Sequence, residues 1–85
     1  EKLFKLGEHR LSNTELLAIL LRTGTRNHSA LDLARQILAK FKTFRNMSHT
    51  DARDWKGFKG LGPAKTAQIK AALEIARRFN EEKIA

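Results

Sequence analysis

Apolar residues recur three and four positions apart through most of this chain, and nowhere do they alternate with polar ones over the length of a strand. That spacing puts one apolar stripe on each of several α-helices and leaves no candidate for a half-buried strand. The expected fold class is all-α: a compact bundle of four to five short helices joined by brief turns. Its 85 residues fit a single domain, 1–85, and a domain of that size buries roughly 60–65% of the surface its unfolded chain exposes.

Capping residues set the expected helix limits. Residues 2–6 suit a short lead-in turn ending at Gly7. Ser12 and Glu15 have capping-box spacing, which predicts a helix from about Asn13 to Arg22, closed by Gly24 in a left-handed conformation. A second helix opens near Ser29, with Asp32 three residues on, and carries Leu31, Leu33, Ala34, Ile37, Leu38 and Phe41 on one face. Lys42 to Met47 reads as a connector whose Phe44 and Met47 reach back into the core. Ser48 and Asp51 repeat the cap spacing and predict a short third helix through Asp54 and Trp55 to about Lys56. A fourth runs from Pro63 to about Asn80, burying Ile69, Ala72, Leu73, Ala76 and Phe79. Residues 81–85 read as a frayed tail that begins a linker to a further domain. Gly24-Thr25 and Gly60-Leu61-Gly62 stand at similar places in the two halves, as in a degenerate duplication, although too few residues match to establish one.

Charge narrows the function. Seventeen Lys and Arg against nine Asp and Glu give a formal charge of +8, and an excess that large on a small domain attracts polyanions, nucleic acid first and anionic membrane second. With no cysteine there is neither a disulfide framework nor a thiolate metal site. The longest apolar run, Leu16 to Leu21, falls far short of the roughly 18 residues of a membrane span and reads as a buried helix segment. His9, His28 and His49 share no metal-ligand spacing. Asp51 and Asp54 complement the dipole of the short third helix, and Ser12, Ser29 and Ser48 read as caps with no base beside them. No catalytic residue, metal site or small-molecule substrate is expected, and Trp55 reads as core packing more readily than as a base-stacking platform.

One stretch does point to chemistry. Gly60 and Gly62 can take positive φ in a tight turn, and Pro63 is preset for a first helical position. The amides of Ala64, Lys65 and Thr66 are then expected unpaired at a helix N-terminus, where a phosphate can approach over the two bare glycines. Lys59 and Lys65 flank the turn, Lys56 and Lys70 add charge, and Thr66 offers a hydroxyl. A plain αα-corner also uses glycines in this way. The 22–28 loop has two open readings: a second phosphate grip through Arg22 and Arg26, or a solvated connection.

Residues 50–75, with Trp55 and Phe58 as supports, Gly60-Leu61-Gly62-Pro63, and then Thr66 and Ile69, resemble the helix-hairpin-helix motif, placed at about 50–79. That motif holds the sugar-phosphate backbone without reading bases. The resemblance implies DNA contacts from Lys56, Lys59, Gly60, Leu61, Gly62, Pro63, Ala64, Lys65, Thr66 and Lys70, helped by Arg26. Many such hairpins carry a basic residue directly after the proline. Ala64 stands there in this chain, which shifts the contact onto the backbone. Some hairpins also hold a monovalent cation through carbonyls, here those of Lys56, Phe58 and Leu61; no other cofactor is implied. Related DNA glycosylases use a lysine at the position of Ala64 and an aspartate further on, but no Asp follows Asp54, so this chain is not expected to be an enzyme.

Residues 12–25, S-x-x-E-L-L-A-I-L-L-R-T-G-T, and 60–65, Gly-Leu-Gly-Pro-Ala-Lys, resemble the N-terminal region of bacterial RadC-like proteins of the UPF0758 type over nearly the whole chain. The resemblance implies a cytoplasmic protein, labelled a DNA repair protein, in which a larger C-terminal JAB/MPN domain with a zinc-binding His-x-His motif follows this one. No His-x-His occurs here. The leading expectation is a DNA-backbone-binding module without sequence preference. The alternative is a docking module that regulates the C-terminal domain.

Overall fold

A computed structural model describes residues 7–22 and 27–82, and among these it contains helices and turns but no strand. After a 3-10 turn at Glu8–Arg10 come α1 (Asn13–Leu21), α2 (Asn27–Phe41) and α3 (Phe44–Ser48), then a 3-10 helix at Ala52–Trp55 and α4 (Pro63–Glu81). The lead-in turn at 2–6, the cap at Gly24 and the contact residue Arg26 lie outside the described residues.

α1 starts as its sequence demands. Ser12 Oγ accepts from the Glu15 amide at 3.1 Å, and Glu15 Oε1 accepts from the Ser12 amide at 2.9 Å. Both orphan donors are satisfied, and Leu17, Ala18 and Leu21 are buried. α2 begins two residues before Ser29, so Ser29 lies within the helix, and Asp32 pairs with Arg35 at 3.1 Å. Ala30 joins Leu33, Ala34, Ile37 and Phe41 in the buried stripe. The two alanines on that stripe let α1 pack closely across it.

α2 ends on Lys42, whose φ of +76° is left-handed. Its amide donates to the Leu38 carbonyl at 2.8 Å, and Asn46 Nδ2 donates to the Phe41 carbonyl at 2.7 Å. The expected connector is in fact α3, because Thr43 Oγ1 accepts from the Asn46 amide at 3.0 Å and caps it. As expected, Met47 is fully buried and Phe44 packs on the core. Ser48 closes α3, its hydroxyl donating to the Arg45 carbonyl at 2.6 Å. The cap of the next element is therefore Asp51, not Ser48. Asp51 accepts from the Arg53 amide at 2.9 Å, and Asp54 accepts from the Asp51 amide at 2.9 Å. These two carboxylates are occupied in folding the turn.

α4 starts at Pro63 and buries Ile69, with Ala72 and Leu73 half-buried. Ala76 and Phe79 were expected inside but are exposed. α4 has 19 residues against nine in α1 and five in α3, so at 1.5 Å per residue it is about 28 Å long, and residues of α3 still flank it at Asn80 and Glu81.

Candidate nucleic-acid interface

The turn before α4 is held from below by aromatic packing. Trp55 is 2% exposed, and its ring centroid lies 4.8 Å from Phe41 and 6.1 Å from Phe58. Phe58 and Leu61 pack against the same core. Lys40 straps the cluster from outside: its Nζ donates to the Asp54 carbonyl at 2.6 Å and lies 5.2 and 5.4 Å from the Phe41 and Phe58 centroids. Buried as it is, Trp55 is a packing residue.

Thr50 joins the turn to α4. Its hydroxyl donates to the Met47 carbonyl at 2.7 Å and accepts from Trp55 Nε1 at 2.6 Å. Lys70 Nζ donates to the Thr50 carbonyl and, at 3.3 Å, to its hydroxyl. These contacts engage two of the three donors of the Lys70 ammonium and leave one to offer elsewhere. Neither Thr50 nor Lys40 stands out in the sequence. Lys40 reaches Asp54, 14 residues away, and Lys70 reaches Thr50 from 20 residues away. No capping or motif spacing marks the shorter bonds of Thr50 to Met47 and Trp55.

On this base the backbone turns sharply. The Leu61 amide donates to the Phe58 carbonyl at 3.3 Å, and Gly60, third residue of that turn, has φ +87°. Positive φ at that position defines a type II turn and calls for glycine. Gly62 differs from the expectation. Its φ of −89° and ψ of 176° are open to any residue, and a Cβ built there meets nothing within 4 Å. The fold therefore does not require glycine at 62.

Gly62 is the N-cap of α4, and no side chain caps the helix. Thr66 departs from the expected pattern: its amide and its hydroxyl both donate to the Gly62 carbonyl at 3.1 Å. Its donors are thus spent within the first turn. The Ala64 and Lys65 amides have no acceptor among the described residues, and they lie at the positive end of a five-turn helix.

Lys56 and Lys59 are exposed around this point, and Lys65 is half-exposed. One shallow groove beside the turn is walled by Trp55, Lys56, Leu61, Gly62, Pro63 and Lys70. On the other side, Lys59, Gly60 and Lys65 share a depression with Leu21, Ala30 and Asp32. The turn thus lies beside the end of α1 and the start of α2. Of the residues singled out in the sequence, the structure brings Lys56 through Lys70 to one end of α4.

No described helix is long and apolar enough to cross a membrane, and among the described residues no group of His, Asp and Glu converges to hold a metal ion. A UPF0758 protein of Ralstonia nicotianae is 48% identical over 85 residues, all of this chain and 38% of that protein. One from Halorhodospira halophila is 49% identical and one from Ectopseudomonas mendocina 48%, each over 84 residues and 38% of its own length. The chain thus spans well under half the length of these relatives. No solved structure matches it. The family profile described as UPF0758 N-terminal matches residues 1–67, and the chain belongs to the UPF0758 family.

Proposed function

We propose that this domain binds the phosphate backbone of DNA without marked sequence preference, and that it is a binding module rather than an enzyme. The observation that carries this reading is the pair of unpartnered amides, Ala64 and Lys65, at the head of α4 beside a glycine the fold does not need. A phosphate seated there accepts both hydrogen bonds and gains from the helix dipole, while an unbranched backbone at 62 leaves it room. Lys56, Lys59 and Lys65 supply the surrounding positive charge, with Lys70 and Arg26 as further contributors. In this reading the 3-10 helix at Ala52–Trp55, the turn and α4 act as a helix-hairpin-helix. Contacts of this kind position a protein on nucleic acid but read no bases.

Fluorescence anisotropy with labelled duplex, single-stranded and branched DNA at two salt concentrations tests the proposal. Affinity should fall with salt at a log–log slope of about −0.9 per phosphate contacted on duplex and should differ little between sequences of one shape. Absence of binding to all three at low salt would overturn it.

A further inference from the structure

The far end of α4 carries a feature that backbone binding does not use. Every residue from Ile75 to Glu82 is exposed, including Ile75 at 69% and Phe79 at 74%. Four residues apart, these two stand one above the other on a single helix face. Ala76 lies beside them and also lines an apolar groove with Leu16, Leu20, Phe44 and Leu73. At about 100° per residue Ile75 and Phe79 stand about 120° and about 80° round the helix from Ile69, so the stripe lies to one side of the core-packing face formed by Ile69, Leu73 and Ala76, and both side chains stay in solvent. Beside it the charges are already matched. Arg77 bonds both Glu74 and Glu81, and Arg78 bonds Glu74, at 2.7 to 3.0 Å. An apolar stripe with a self-neutralised rim suits a partner that is itself apolar at its centre.

Area decides among the occupants. Ile75 and Phe79 together expose apolar surface on the order of 250 Å². Two free copies need roughly 800 Å² from each partner for a stable interface, so this stripe is too small to hold a second copy. A tethered neighbour faces a lower barrier, because its effective concentration is on the order of millimolar. Such a neighbour exists in the relatives, of which this chain covers 38% and whose N-terminal part it matches. The remainder of a protein of that length leaves this domain from the end of α4, one turn beyond Phe79.

We propose that in the full-length protein the Ile75–Phe79 stripe is the docking seat of the polypeptide that follows this domain. That polypeptide folds back onto the last two turns of α4 and covers them. The contact is intramolecular, and it leaves the Gly60–Lys65 end of the helix free.

Hydrogen exchange read by mass spectrometry tests this without DNA, so its failure is separable from a failure of DNA binding. In the full-length protein the amides of residues 75–81 should exchange about tenfold more slowly, or more slowly still, than in the 85-residue chain. The difference should be the same at all protein concentrations. The double variant Ile75→Ser/Phe79→Ser should abolish it, while circular dichroism of the same variant in the 85-residue chain shows the helices intact. Equal exchange in the two wild-type chains would overturn the proposal. Protection that grows with concentration, alongside a doubled mass in light scattering, would also overturn it and assign the stripe to a second copy.

Discussion

Replacing Gly62 with aspartate should stabilise the domain while weakening its hold on DNA. The backbone at 62 is extended, and a Cβ there meets no atom within 4 Å, so the new side chain costs nothing sterically. An aspartate at the N-cap of α4 can accept from the Ala64 or Lys65 amide, a few tenths of a kcal/mol better than glycine. Its charge at the positive end of the helix adds about 0.3–1 kcal/mol. The sum is about 0.5–1.4 kcal/mol, or a rise in Tm of about 2–11 °C in a domain of this size. The same carboxylate occupies the amides proposed to hold a phosphate, and it repels the phosphate. Losing hydrogen bonds to a charged group costs about 1.5–3 kcal/mol, which is roughly 10- to 100-fold in affinity. The salt slope should fall by about 0.9 with the lost contact. Differential scanning fluorimetry and anisotropy on one preparation read both effects. Unchanged affinity in a stabilised Gly62→Asp protein would remove the turn from the interface, and a fall in Tm would refute the geometry assigned to the cap.

Lys42→Gly should raise stability by about 0.5–1 kcal/mol, because the left-handed φ of +76° penalises any residue with a Cβ; an unaltered or lower melting temperature would count against it. Thr50→Val removes the acceptor of the buried Trp55 indole and should destabilise by about 1–3 kcal/mol with a shift in tryptophan emission, whereas Thr50→Ser should restore both. Glu74 is held down from the ordinary 4.5 to about 2 by hydrogen bonds from Arg77 and then Arg78. A carboxylate with a folded pKa below its unfolded one contributes its full stabilisation above pH 4.5 and loses it as pH falls toward 2. Helicity at the end of α4 should therefore decline through that window, less so in high salt. Glu74→Gln should flatten the decline, and an NMR midpoint for Glu74 at the ordinary value would refute the pairing.

Local chemistry made much of the fold legible. Ser12 with Glu15 and Pro63 after Gly62 mark helix starts through bonds that span four residues or fewer, and a sequence window contains them whole. α2 starts two residues upstream of Ser29, which has a cap's chemistry and so marks a start by residue type alone. The sequence of α3 reads as a connector because Ser48 has a cap's side chain and draws the next start onto itself, while the cap of α3, Thr43, is an equally common residue. Phe79 reads as core from its apolar side chain, yet it stands about 80° round the helix from Ile69, to one side of the face that Leu73 and Ala76 share with the neighbouring helices. At the candidate interface the charged residues and the turn were legible. The inward bonds of Thr66 were not, since a threonine hydroxyl can equally turn outward. Lys40 with Asp54, and Lys70 with Thr50, are pairs distant in sequence that only the packed chain brings together.

The length of α4 also has an electrostatic consequence. Residues 56–73 carry four lysines and no acid, whereas residues 74–82 carry two arginines against three glutamates. The helix thus has a charged head, with Lys56 and Lys59 just before it, and a nearly neutral tail; its two ends lie about 28 Å apart, more than three screening lengths at physiological ionic strength. In the field of a polyanion such a rod feels a torque before it makes any contact, and it turns head first. Orientation is then settled during approach, so fewer collisions end with the wrong face against the target. Whatever extends from the tail trails behind, held off from the polyanion by the length of the helix.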